Sequence, residues 1–290
     1  MAPFPVPAIY SMESLNKDSP IRQVYPEDIY PNGDYYPSPY GRVRYWIVGP
    51  EEGRKVVLIH GIACPSIVWK DVQAELVSNG FRVLMYDVYG RGYTEAPRLT
   101  CDPSLCIVQL ALLMQYIRWN VADVVGFSMG GAIAASFAAM FPHLIDKNVV
   151  MLSAAGLIDT KESQPDSGQL PVHLRELQSQ HLPGFNDILE SSRKDGLITG
   201  ANWAYKKLGK MTDKRFLIVH VSCYTFAAPS NPEIPVQGTA DNIVPYSEAF
   251  KIHKLVPQAQ LVPIEGASHY VPLEEGSREK FTAALVKFLS

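Results

Sequence analysis

The passage that most narrows what this chain can fold into lies at residues 123–140, where a short apolar run turns into an Ala-rich helical pattern with no connecting loop. Val124 and Val125 read as a buried strand, and 132–140 reads as a helix. Between them stands Gly126-Phe127-Ser128-Met129-Gly130, a serine with a glycine two residues to either side. A strand that passes so abruptly into a helix puts its apex residue on strained backbone, and the glycines let neighbouring main chain approach. The hydroxyl of Ser128 is then exposed at the edge of a sheet. Gly-x-Ser-x-Gly alone arises by chance in roughly one chain in ten of this size. The strand before it and the helix after it give the match its weight.

The flanking sequence repeats the alternation. A β-rich run at 42–48 precedes a turn at 49–53, and 55–59 is a continuous apolar stretch of the kind a parallel sheet buries on both faces. Helical spacing over 68–79 stops at Gly80, and 81–86 is a second buried strand ending at Asp87. A helix over 105–119, strands over 147–152 and 260–264, and helices over 246–255 and 274–289 complete the rhythm. This predicts an α/β fold with a doubly wound, mostly parallel sheet and right-handed crossovers. Ligands in such folds lie beyond the carboxyl ends of the strands, which brings His60, Asp87, Ser128 and Ser153 to one edge.

Two segments stand outside this rhythm. Residues 1–39 are rich in proline and tyrosine and read as an N-terminal arm whose aromatics, Tyr10, Tyr25, Tyr30, Tyr35 and Tyr36, pack on the body. Residues 154–232 read as an inserted helical cap or lid, with helical patterns at 174–181 and 202–208. Both 216–221 and 234–238 have strand character. The second leads directly into Gly238-x-x-Asp241 and is taken as the sheet strand, leaving the first as a cap helix or an extra strand. The core is then 40–153 together with 233–290.

Composition limits the function classes. A formal net charge of −3 offers no basic footprint, so nucleic acid is not an expected partner. Cys64, Cys101, Cys106 and Cys223 form no Cys-x-x-Cys pair and no dense framework, which argues against a metal site or a disulfide scaffold. A single Cys101 to Cys106 bridge stays open as an alternative, although reduced thiols are the expected state inside a cell. Pro3, Pro5 and Pro7 interrupt the stretch a signal peptide would need, and no run reaches membrane-spanning length. A soluble, cytoplasmic protein acting on a small molecule, without stable membrane insertion, is expected.

A serine hydroxyl is a poor nucleophile until a base takes its proton, so Ser128 needs a histidine and a group to orient it. His269, in the loop after the last expected strand, is placed to reach back over the edge. Asp241 also follows an expected strand end; the weaker acid candidate is Asp159, at the cap entrance. The order Ser, Asp, His suits this fold. The oxyanion would be met by the backbone amide of Met129 and by that of Ile62, or of Ala63 by an offset of one. His60 would brace that loop, and Ala63, Cys64, Phe127 and Tyr270 would line the substrate pocket.

Together His60-Gly61-Ile62-Ala63, Asp87-x-x-Gly90-x-Gly92-x-Thr94-x-x-Pro97, Gly126-Phe-Ser-Met-Gly130, Gly238-x-x-Asp241-x-x-Val-Pro245 and Gly266-Ala-Ser-His269 resemble the α/β-hydrolase family over about 42–290. The resemblance implies an eight-stranded core, a Ser128, Asp241 and His269 triad and no cofactor. Capped serine esterases and monoacylglycerol lipase-like enzymes are the most similar branches. Epoxide hydrolases and haloalkane dehalogenases share the Asp87 to Pro97 pattern but carry Asp as nucleophile, which Ser128 opposes. The implied activity is hydrolysis of a carboxylic ester of a small or medium-sized, largely apolar substrate through an acyl-enzyme on Ser128. A C–C bond hydrolase or lyase on the same triad, and a ligand-binding protein with little turnover, are the alternatives.

Overall fold

A computed structural model describes residues 4–158, 169–222 and 241–290. The arm contributes β1 (Ala8–Ile9) and α1 (Pro20–Val24), and then enters the sheet as the hairpin β2 (Gly33–Ser38) and β3 (Gly41–Val48). Alternation follows through β4 (Arg54–Ile59), α2 (Lys70–Ser78), β5 (Phe81–Tyr86), the short β6 (Ala96–Pro97), α3 (Pro103–Tyr116), β7 (Ala122–Phe127), α4 (Met129–Met140) and β8 (Ile145–Leu152). Helices α5 (Gln169–His181), α6 (Phe185–Lys194) and α7 (Asn202–Leu208) come next, then β9 (Arg215–Ser222), α8 (Ser247–Leu255), β10 (Gln260–Glu265) and α9 (Ser277–Leu289).

Eight strands form one sheet in the order β10-β9-β8-β7-β4-β5-β3-β2, and β1 pairs separately with β6. Pairings from β5 through β10 are parallel, while β3 runs antiparallel to both β2 and β5. The apolar runs have no polar alternation because helices cover both faces. Val124, Val149 and Met151 meet α3, α4, α7 and α8 on one side. Val125, Val150 and Leu152 meet α2 and α9 on the other. The elbow strand β7 sits near the centre, between β4 and β8.

Three sequence expectations change. Residues 216–221, assigned to the insertion as a cap helix or extra strand, belong to β9 of the main sheet, with Val219 opposite both Leu152 and Val262. The sheet portion therefore resumes at Arg215, and 234–238 lies outside the described residues. The first strand begins at Gly33, so the 1–39 boundary cuts through a hairpin. Pro37 is tolerated there because β2 is an edge strand. Finally, Tyr25, Tyr30 and Tyr36 are buried as expected, but Tyr10 is 71% exposed. No helix among the described residues is long and apolar enough to cross a membrane.

Candidate active site

The elbow is built by close approach of main chain. A Cβ on Gly126 would lie 2.0 Å from the Gly130 carbonyl oxygen, and one on Gly130 would lie 2.2 Å from the Ile59 carbonyl oxygen. Neither position admits a side chain without moving backbone, which is the physical reason for both glycines. Ser128 itself has φ 57° and ψ −121°, a conformation an L-residue keeps only when its surroundings enforce it. The enforcement is visible. The Ser128 amide donates to the Leu152 carbonyl at 2.9 Å, while the Ser128 carbonyl accepts from Gly131 at 2.9 Å and from Ala155 at 3.1 Å.

His269 and Asp241 meet as the sequence predicts. Nδ1 of His269 donates to Oδ2 of Asp241 at 2.8 Å, which leaves Nε2 as the ring nitrogen not engaged by the carboxylate. The ring packs on Phe127, with centroids 4.9 Å apart, so the residue preceding Ser128 sets the imidazole beside the elbow. The other oxygen of Asp241 accepts from the amides of Ile243 at 3.0 Å and Val244 at 2.8 Å. Burial opposes its charge, yet the neighbouring His269 and these hydrogen bonds hold its carboxyl below the usual carboxylate range. Asp159 lies outside the described residues.

The segments that carry the amides expected to meet an oxyanion both border Ser128. Met129 opens α4, where the helix end favours negative charge, and a Cβ on Gly61 would stand 3.2 Å from Cβ of Ser128, so the loop carrying Ile62 lies against the serine. Among the described residues nothing accepts from the Met129, Ile62 or Ala63 amides. Of the residues expected to line a pocket, Phe127 and Tyr270 flank His269, and Cys64 is buried against the α2 and α9 face. Phe127 thus supports the His269 ring as much as it lines any space.

The sequence profile of the α/β hydrolase fold family matches residues 55–276. The chain belongs to the α/β-hydrolase fold family. It is 26% identical over 250 residues to an uncharacterised protein of Mycobacterium bovis, spanning 75% of this chain and 70% of that one. It is 23% identical over 237 residues to a 2-hydroxy-6-oxo-2,4-heptadienoate hydrolase of Pseudomonas putida, spanning 77% and 85%. In fold it matches the enol-lactonase of Burkholderia xenovorans, with a TM-score of 0.69 at 18% identity over 88% of this chain and 99% of the other.

In this α/β hydrolase the loop at 60–63 is held by residues that sequence reasoning partly missed. His60 accepts from the Val88 amide through Nε2 at 2.8 Å, so Nδ1 carries the proton and donates to the Gly61 carbonyl at 2.7 Å. Burial lowers its pKa to about 3, which keeps it a neutral brace. Arg91, fully buried, donates from Nε to the Ile62 carbonyl at 3.0 Å, from Nη1 to the Tyr89 carbonyl at 2.9 Å and from Nη2 to Ser192 Oγ of α6 at 2.8 Å. Gln178 of α5 bridges the same region, donating to the Ala63 carbonyl at 2.8 Å and accepting from the Gly92 amide at 3.0 Å.

Asp87 anchors the neighbouring turn. It accepts from the amides of Ser66 and Tyr93, each at 2.9 Å, and from the Tyr25 hydroxyl of the arm. Thr94 accepts from the Arg44 amide at 2.9 Å, so its hydroxyl is a buried acceptor within the same motif. The motif from Asp87 to Pro97 marks this turn in sequence. Nothing comparable marks Gln178 or Ser192, which are ordinary polar residues on helical patterns.

Proposed function

We propose that this protein is a serine hydrolase that cleaves the carboxylic ester of a small or medium-sized, largely apolar substrate. His269 Nε2 takes the proton of Ser128, whose Oγ attacks the ester carbonyl. The amides of Met129 and Ile62 receive the oxyanion, and the protonated His269 passes its proton to the departing alcohol. Water then attacks the acyl-enzyme with His269 again acting as base, while Asp241 holds the ring in the required tautomer. The observation that carries this reading is the Asp241 and His269 hydrogen bond, with the His269 ring packed on Phe127, the residue before the backbone-strained Ser128. Ile62, Ala63, Phe127 and Tyr270 give its surroundings an apolar character, which favours an uncharged acyl group. Helices α5 and α6 serve as the lid, since Gln178 and Ser192 tie them to the loops beside Ser128.

A second reading, C–C bond hydrolysis on the same triad, is favoured by the Pseudomonas putida relative. Steady-state turnover of p-nitrophenyl esters of graded acyl length, set beside turnover of a vinylogous diketone, separates the two. Ester cleavage that falls at least about 1000-fold in Ser128→Ala supports the first. Diketone cleavage without ester cleavage supports the second.

A further inference from the structure

Cys101 and Cys106 are brought together by the way α3 begins. Asp102 is the N-cap, accepting from the Leu105 amide at 3.0 Å, with Pro103 at the first helical position. Cys101 is therefore the residue before the cap and Cys106 the fourth of the helix, the two positions whose side chains meet in a hydrophobic staple. In this chain the staple is made of two thiols. Their sulfurs are 3.8 Å apart and hydrogen-bonded, both residues are buried, and both are free. A disulfide needs a separation of about 2.05 Å, so closure is a side-chain movement within a contact that the cap already fixes.

A second observation concerns Arg91. Its hydrogen-bond acceptors are two carbonyls and a hydroxyl, and no carboxylate pairs with it among the described residues. A buried guanidinium with only neutral partners calls for a nearby anion. Cys101 lies within the field of that charge. The hydrogen bond from Cys106, and then the charge of Arg91, hold its thiol below the usual range, and the same hydrogen bond together with burial pushes Cys106 up. The pair thus favours Cys101 over Cys106 as the thiol that gives up its proton. A groove of about 600 Å³ between the arm, residues 96–100 and α6 runs past Thr100 and past Ser191, whose hydroxyl accepts from the Cys101 amide at 2.8 Å.

We propose that Cys101 and Cys106 form a reversible oxidation site, at which Cys101 attacks a small hydroperoxide and Cys106 closes the disulfide. The Cys101 thiolate displaces alkoxide or hydroxide from the peroxide oxygen to become a sulfenic acid, and the leaving group takes a proton. The Cys106 thiol then attacks the Cys101 sulfur, expelling water. Two thiols lose two electrons and two protons, and the hydroperoxide is reduced to an alcohol, or to water, with release of one further water. Arg91 connects this chemistry to the Ile62 carbonyl and to Ser192 of α6.

The test reads sulfur alone and is independent of the reaction at Ser128. Trypsin releases both cysteines in the single peptide 99–118. Folded, reduced protein is exposed to a modest excess of hydrogen peroxide, quenched with catalase, unfolded, blocked with N-ethylmaleimide and digested. Peptide 99–118 is expected two hydrogens lighter and free of maleimide, reverting with dithiothreitol, and to form faster in folded than in urea-unfolded protein. In Cys106→Ser, dimedone should trap a sulfenic acid on Cys101. Oxidation no faster in the folded chain, a disulfide to any other cysteine, or dimedone capture on Cys106 in Cys101→Ser would overturn the assignment.

Discussion

Replacing Gly130 with alanine places one methyl group where two strands and a helix already touch. Its Cβ would lie 2.2 Å from the Ile59 carbonyl oxygen and 2.5 Å from that of His60. Ordinary contact begins near 3.4 Å, so about 1 Å of movement is required between α4 and the end of β4. The β4 end cannot yield, because β5 and β7 hold it on both sides, with Ile59 opposite Gly126. The helix must move and carry the Met129 amide with it. Overpacking of this kind costs about 1–3 kcal/mol, which lowers Tm by roughly 2–4 °C per kcal/mol in a chain of this size. A 1 Å misplacement of an oxyanion donor costs on the order of 100-fold in kcat. Calorimetry and ester turnover on folded protein read the two effects. Gly80→Ala is the control: nothing lies within 4 Å of its Cβ, and only the strain of φ +82° remains. A Gly130→Ala protein with the Tm and kcat of Gly80→Ala would refute the steric account of the elbow.

Other perturbations read the surrounding shell. Asp241→Asn should lower kcat by roughly 1000- to 10,000-fold with little change in KM, measured by steady-state ester turnover, because the imidazole loses its enforced tautomer. Arg91→Met leaves the buried carbonyls of Ile62 and Tyr89 unpaired and should destabilise the protein by about 2–4 kcal/mol in urea unfolding. Burial lifts Asp87 to about 6, against about 3.9 in an unfolded chain. A carboxyl raised on folding contributes stability that is fully present below the unfolded value and lost as pH rises through the folded one. Wild type should therefore lose about 2.4 kcal/mol relative to Asp87→Asn between pH 4 and pH 8, measured as the difference between their urea unfolding curves. His60 shifts the opposite way, to about 3, and cancels in that difference. A pH-independent difference would contradict the burial argument for Asp87.

Much of this arrangement is written locally. The elbow, the His60 loop and the Asp87 turn are each a strand end followed by residues whose backbone demands are visible as glycine, and His269 follows the same rule after β10, whereas the strand expected before Asp241 lies outside the described residues. Alternation with helices fixes that rule, so the sheet edge that carries Ser128 is legible before its partners are placed. The run at 216–221 was ambiguous for a physical reason. Phe216 and Ile218 face one layer and Leu217, Val219 and Val221 the other, so the buried strand has no polar alternation to distinguish it from a buried helix. The hairpin at Gly33 hides behind Pro37, which reads as a strand breaker unless the strand is known to lie at an edge. Arg91, Gln178 and Ser192 reach the 60–63 loop and one another through contacts spanning 29 to 115 residues of sequence, and no local pattern encodes such pairs.

The central claim, an acyl-enzyme on Ser128, is tested most directly by intact-mass and peptide analysis after brief treatment with a fluorophosphonate. A single adduct on the tryptic peptide bearing Ser128 is expected. It should be absent from Ser128→Ala and formed far more slowly in His269→Ala. An adduct elsewhere, or equal labelling of wild type and Ser128→Ala, would contradict it.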